Sequence, residues 1–113
     1  MADFEVADCV HVPWREKEAR PAVVLDVLVP DDRGCVRMFV ALGTRVKPDP
    51  GVKHVKVTKD DAGYHELRLH DVTYFKKSFE ASIYNVTDTQ IVDLDEVCPY
   101  SLLDALFELY GLP

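Results

Sequence analysis

The sequence predicts a mainly β protein, a small and strongly bent β-barrel with one C-terminal helix. Two observations indicate the barrel: short segments rich in β-branched and aromatic residues recur between residues 7 and 86, and Gly, Pro and Asp residues separate them at close intervals. The last segment changes to the spacing of an amphipathic helix. The chain has 113 residues, so we expect one domain spanning 1–113 and five or six short strands.

The first two strands are predicted over residues 7–13 and 21–29. Polar and apolar residues alternate in 7–13, which places Val10 and Val12 on one face of the strand. Residues 14–19 are mostly charged and follow a proline, so they are predicted to form a loop. The nearly continuous aliphatic run in 21–29 predicts a strand that is buried on both faces.

A hairpin follows the second strand. Residues 30–34 contain Pro, Asp and Gly, which favour a turn, and 35–42 form the predicted return strand. Residues 47–51 hold two prolines and a glycine and are predicted to be a loop. Residues 64–70 are less regular, and their alternation favours a strand. Three further segments have strand composition: 52–58, 72–76 and 81–86.

The C-terminal helix is predicted over 101–110. Ser101 is the expected N-cap, Asp104 its capping-box partner, and Gly111 the stop signal. A helix over this range has one apolar stripe, formed by Leu102, Leu103, Leu106, Leu109 and Tyr110.

The overall charge is acidic, with 20 acidic and 13 basic residues and a formal net charge of −7. This argues against a protein that binds nucleic acid by general attraction to phosphates. Many of the basic residues lie before residue 50, whereas 88–110 is acidic, so a basic face beside an acidic tail is expected. One hypothesis is that 88–110 folds back over the basic face.

Cysteine usage and the ends of the chain predict a cytoplasmic protein. Cys9, Cys35 and Cys98 are odd in number, lack CxxC spacing and have apolar neighbours, which favours reduced structural thiols. The N-terminus has no signal-peptide pattern, and no apolar run is long enough for a membrane helix.

Arg20 and Thr44 are the residues with the clearest potential for chemistry. Arg20 stands at the entry to one strand of the hairpin and Thr44 at the exit of the other, so the two are expected to be neighbours. A guanidinium beside a hydroxyl can hold an anion, and Gly43 allows close approach of a ligand. In the alternative interpretation Arg20 pairs with Glu16 or Glu18, and Thr44 caps a turn.

Four sequence blocks resemble the PemK/MazF-like family of toxin–antitoxin ribonucleases. They cover 8–13, 19–25, 39–44 and 71–75, and the arginine-proline-aliphatic block 19–25 is the strongest of them. The resemblance implies a compact SH3-like barrel, usually a homodimer, that cleaves single-stranded RNA without a metal or cofactor. It also implies a cognate antitoxin protein as partner.

The resemblance implies that Arg20 and Thr44 form the catalytic pair. In such cleavage the ribose 2′-hydroxyl attacks the adjacent phosphorus, and arginine and threonine stabilise and orient the phosphate. Trp14 or Tyr74 offers a face on which a base can stack, and the alternative for Trp14 is plain packing of its loop against the core. The expected RNA-binding residues are Trp14, Arg15, Lys17, Arg45, Lys47, Lys76 and Lys77.

Two other functions are compatible with the sequence. A catalytically inactive barrel of the same fold could use this surface as a protein-binding module. A nuclease could also use His54 or His65 as acid and base.

Overall fold

The computed structural model describes residues 4–14, 18–77 and 83–112, with the side chain of Glu18 excepted. These residues form seven strands followed by one helix, which confirms the mainly β class and the C-terminal helix. The elements are β1 (Asp8–Trp14), β2 (Glu18–Val27), β3 (Arg37–Thr44), β4 (His54–Val57), β5 (Thr73–Lys76), β6 (Ile83–Asn85), β7 (Val92–Val97) and α1 (Tyr100–Tyr110).

The strands form one antiparallel sheet in the order β4-β5-β3-β2-β1-β7, and β6 also pairs with β3. One edge of β3 pairs with β2, while β5 and β6 pair with opposite ends of the other edge. The register shifts between Val24 and Asp26 in β2, an irregularity that bends a strand. Among the described strands the path is open, because β4 and β7 do not pair with each other.

Apolar side chains cover both faces of the central strands. One face contributes Val23, Leu25 and Ala41 to a core that also includes Leu102 and Leu106 of α1. The other face forms a second cluster, whose buried members are Phe4, Val10, Val12, Ala22, Val24, Met38 and Val40. The prediction that the second strand is buried on both faces is therefore confirmed.

Helix α1 begins at Tyr100, one residue earlier than predicted. Pro99 occupies the N-cap, and no side chain caps the N-terminus, so the predicted Ser101 capping box is wrong. The C-terminal prediction is confirmed, because Gly111 adopts a left-handed conformation with φ 71° and its N–H bonds to the Glu108 carbonyl. No helix in the described part of the chain is long and apolar enough to cross a membrane.

Strand β7 was not predicted. It lies at the edge of the sheet, where it pairs with β1, and Leu94 is its buried residue. Its acidic residues Asp93, Asp95 and Glu96 are exposed. Charged side chains are typical of edge strands, but they hide the apolar alternation that signals a strand in the sequence.

Residues 64–70 form a series of turns, so the predicted strand there is wrong. The N–H of Leu67 bonds to the Gly63 carbonyl at 3.0 Å, and that of Leu69 bonds to the Tyr64 carbonyl at 3.0 Å. Gly63 and Arg68 have φ angles of 98° and 52°. These left-handed residues reverse the chain direction, which an extended strand does not allow.

The predicted loop over 14–19 is wrong at both ends, because Trp14 belongs to β1 and β2 starts at Glu18. Arg20 therefore lies inside β2 rather than at its entry. Pro21 is tolerated inside the strand because pairing with β3 begins only at Ala22. Residues 15–17 and 78–82 lie outside the described part of the chain.

All three cysteines are free thiols. Cys9 and Cys98 are buried in the core that contacts α1, as their apolar neighbours predict, whereas Cys35 is exposed. A side-chain hydrogen bond with Cys98, together with burial, raises the pKa of Cys9. A buried thiol with a raised pKa is poorly reactive, so Cys9 is a structural residue.

Candidate functional site

A cleft of about 650 Å³ lies where β2 begins and β3 ends. Both Arg20 and Thr44 line it, as expected for the open end of a hairpin. Its walls come from β1, the start of β2, the end of β3 and the segment that leads into β5. The lining residues are His11, Ala19, Arg20, Pro21, Gly43, Thr44, Arg45, Val46, Arg68, Leu69, His70, Asp71 and Thr73.

The cleft is rich in cationic and polar groups. Among the described residues, three arginines and two histidines line it, against the single carboxylate of Asp71. The whole chain carries a formal net charge of −7, so this cationic composition is a local property of the cleft. Arginines that converge on one cleft favour an anionic ligand, and a guanidinium matches the geometry of phosphate oxygens.

Arg20 is a partly buried residue that faces Val12 across the β1–β2 pair. Its guanidinium carbon lies 4.7 Å from the centroid of the Trp14 ring, which is a cation–π contact. Glu16 and the side chain of Glu18, the alternative acidic partners, lie outside the described residues.

Thr44 is buried at the end of β3, opposite Tyr74 of β5. Its Oγ1 accepts a hydrogen bond from the N–H of Val46 at 3.2 Å, so the alternative prediction of a turn cap is confirmed. This bond uses the hydroxyl as an acceptor. The hydroxyl hydrogen can still be donated to a ligand in the cleft, so the cap and an anion-binding role are compatible.

The cleft also contains residues that the sequence analysis did not single out: Arg68 and His70 from the segment before β5, and His11 from β1. One guanidinium nitrogen of Arg68 donates to the Leu94 carbonyl at 3.1 Å, which ties the arginine to β7. Nε2 of His11 lies 3.3 Å from the Leu67 carbonyl. A carbonyl only accepts hydrogen bonds, so Nε2 carries the proton in this contact.

Arg68 and His70 were missed because the sequence predicts a strand over 64–70, where the structure has turns. No local signal shows that the turns in this segment direct both residues into the same cleft as Arg20. The contact between His11 and Leu67 could not be predicted from local sequence either, since 56 positions separate the two residues.

The predicted RNA-binding residues divide into three groups. Arg45 lines the cleft, whereas Trp14 contacts Arg20, which lines it. Lys47, Lys76 and Lys77 do not line it. The backbone carbonyl of Lys76 accepts a hydrogen bond from the Tyr110 hydroxyl at 2.8 Å. Arg15 and Lys17 lie outside the described residues.

The alternative histidines are not in this cleft. His54 packs against Tyr74 and His65 against Tyr64, with ring centroids 5.8 Å and 5.6 Å apart. No described residue after Thr73 lines the cleft, so the hypothesis that 88–110 covers it is wrong. The helix in this segment closes the core instead.

Comparisons of this chain with protein-family models, with curated proteins and with solved structures find no match. The chemistry of the cleft is therefore the basis on which a function can be proposed. Its distinguishing feature is that Arg20 and Thr44 line the same cleft as two further arginines and two histidines.

Proposed function

We propose that this protein is a metal-independent endoribonuclease that cleaves single-stranded RNA, the toxin of a toxin–antitoxin system of the PemK/MazF-like type. The observation that carries the proposal is that Arg20 and Thr44 line one cationic cleft in an acidic protein. The four sequence blocks that resemble this family support the same proposal, and all four contribute residues to the cleft.

The proposed reaction is an internal transesterification. The 2′-oxygen attacks the adjacent phosphorus, the bond from phosphorus to the 5′-oxygen breaks, and the 2′-hydroxyl proton is transferred to the leaving 5′-oxygen through acid–base groups or water. The products are a 2′,3′-cyclic phosphate and a 5′-hydroxyl end. Because the 2′-hydroxyl is the nucleophile, DNA is not a substrate.

In this mechanism Arg20 donates N–H bonds to the phosphate oxygens on which charge grows, and Thr44 donates its hydroxyl hydrogen to orient the same group. The cleft imidazoles are proposed as the groups for proton transfer, since an imidazole ring has one nitrogen that donates and one that accepts a proton. His70 is the exposed one of the two, and His70→Gln is expected to reduce the cleavage rate.

The fold that accompanies this function is an SH3-like barrel. Two features support it: β3 pairs with β2, β5 and β6, and the register shifts in β1 and β2 curve the sheet. A homodimer and a cognate antitoxin are the proposed assembly and partner. Size-exclusion chromatography tests the homodimer, and a pull-down with this protein as bait tests the protein partner.

The deciding experiment incubates the protein with a mixed single-stranded RNA in EDTA and identifies the cut ends. Wild type is expected to leave cyclic phosphates, and Arg20→Ala to lose about 100- to 1000-fold in rate. Arg33→Ala is the matched control, because Arg33 is an exposed arginine in the β2–β3 turn. A DNA strand of the same sequence is expected to stay intact.

Full cleavage by Arg20→Ala would refute the proposal. A wild-type protein that cuts no RNA but forms a stable complex with a protein partner would instead support the catalytically inactive protein-binding module.

A further inference from the structure

The contact between Trp14 and Arg20 joins the last residue of β1 to β2. In the β1–β2 register Val12 is paired with Arg20 and Trp14 with Glu18. Trp14 and Arg20 are therefore diagonal neighbours on adjacent strands, with their side chains on the same face of the sheet. The separation of 4.7 Å between the guanidinium carbon and the ring centroid is well within the range of a cation–π interaction. The ring therefore restricts the guanidinium next to the cleft.

A second aromatic residue fixes the backbone beside Trp14. The hydroxyl of Tyr84, in β6, donates to the Pro13 carbonyl at 3.1 Å. Tyr84 faces Met38 across the β3–β6 pair and packs against the second apolar cluster. Burial raises the pKa of Tyr84, and the charge of Arg20 opposes this rise.

We propose that Trp14 is a positioning residue that holds the Arg20 guanidinium ready for a phosphate in the cleft, and that Tyr84 supports Trp14 through Pro13. This inference rests on the proposed function, and it differs from the base-stacking role that the sequence suggested for Trp14. Trp14 acts through Arg20, whose N–H donors carry the interaction with the anion.

The physical reason is conformational entropy. An arginine side chain has many rotamers, and fixing them on binding costs free energy. A cation–π contact does not require the N–H groups, which stay available for two phosphate oxygens. A guanidinium that is already held by the ring has lost this freedom before the anion arrives.

The test measures order and phosphate binding at Arg20 by NMR of its Nε–Hε group, with inorganic phosphate as the probe. In wild type, this group is expected to show a ring-current shift, to be more ordered than that of Arg33, and to respond to phosphate. Trp14→Leu is expected to weaken phosphate binding by about five- to thirty-fold, whereas Trp14→Phe retains most of it. Tyr100→Leu is the control, because Tyr100 is an 80 % exposed aromatic residue that does not line the cleft.

Tyr84→Phe provides a second variant that removes one hydroxyl and its bond to Pro13. It is expected to shift the Arg20 resonance and to weaken phosphate binding less than Trp14→Leu does. Circular dichroism verifies that each variant is folded. If Trp14→Leu does not fold, Tyr84→Phe and Trp14→Phe decide the question.

Three results would overturn the inference: an Arg20 group as mobile as that of Arg33, wild-type phosphate affinity in the folded tryptophan and tyrosine variants, or no response of Arg20 to phosphate. With RNA as substrate, Trp14→Leu is expected to lower kcat more than it raises KM, and Trp14→Phe to restore kcat. If wild type cleaves no RNA, the proposed function fails, while the phosphate titration still decides whether Trp14 positions Arg20.

Discussion

Gly43 lies directly against Thr73, so that a β-carbon at position 43 would come 2.7 Å from Cγ2 of Thr73. The same β-carbon would lie 3.1 Å from Cγ of Pro21. All three residues line the cleft, and Gly43 immediately precedes Thr44. The missing side chain at position 43 therefore sets how closely β2, β3 and the start of β5 approach one another around the site.

Gly43→Ala is expected to destabilise the protein by about 1–3 kcal/mol, because the added methyl group overpacks this junction. Urea denaturation measures the change. Gly43→Ala combined with Thr73→Ser is the informative comparison, since serine lacks Cγ2 but keeps the hydroxyl that donates to the Asp71 carbonyl. The double variant should recover part of the lost stability, and no recovery would show that the contact with Thr73 is not the cause.

Thr44→Val and Thr44→Ser separate the hydroxyl of Thr44 from its size. Valine removes the acceptor for the Val46 N–H, which is expected to cost about 0.5–1.5 kcal/mol of stability, and it removes the proposed phosphate donor. RNA cleavage by Thr44→Val should therefore fall strongly, while Thr44→Ser should stay within a few-fold of wild type. Wild-type cleavage by a folded Thr44→Val protein would exclude the hydroxyl from the site.

Tyr110 connects α1 to β5, because its hydroxyl donates to the Lys76 carbonyl at 2.8 Å. Tyr110→Phe is expected to lower stability by about 0.5–1.5 kcal/mol at neutral pH. Burial raises the pKa of Tyr110 from 10.0 to about 12, so the folded state holds this proton more tightly than the unfolded state. The extra stability of wild type over Tyr110→Phe is therefore complete below pH 10 and is lost as the pH rises toward 12.

Urea midpoints of wild type and Tyr110→Phe, measured at intervals from pH 8 to pH 11.5, test this dependence. The difference between the two proteins should shrink above pH 10. A constant difference over the whole range would contradict it.

Asp61 closes the turn after β4, where its Oδ2 accepts bonds from the N–H and the hydroxyl of Thr58 at 2.7 Å and 2.9 Å. These bonds lower the pKa of Asp61 below its ordinary value. The folded state thus favours the ionised form of Asp61. The contribution of this carboxylate to stability is present at neutral pH and is lost as the pH falls through the acid range. Asp61→Ala should lower Tm at pH 7 and have a smaller effect at pH 2.5. An equal effect at both pH values would argue against a role for the carboxylate charge.

Part of the site followed from the sequence because it depends on local geometry. The two strands of a hairpin end side by side, so Arg20 and Thr44 could be expected in the same place, and both line one cleft. The exact strand ends could not be predicted, because β2 is extended by its pairing with β1. For the same reason Arg20 lies within a strand and next to Trp14.

The amino-acid sequence by itself determined the mainly β class, the buried second strand, the stripe of α1 and its stop at Gly111. These features depend on the periodicity of apolar residues and on backbone preferences of single residues. The tertiary structure alone decided that β7 is an edge strand, that Arg68 and His70 share the cleft with Arg20, and that Trp14 contacts Arg20. Each of these depends on packing between residues far apart in the chain or on adjacent strands, which local sequence patterns do not encode.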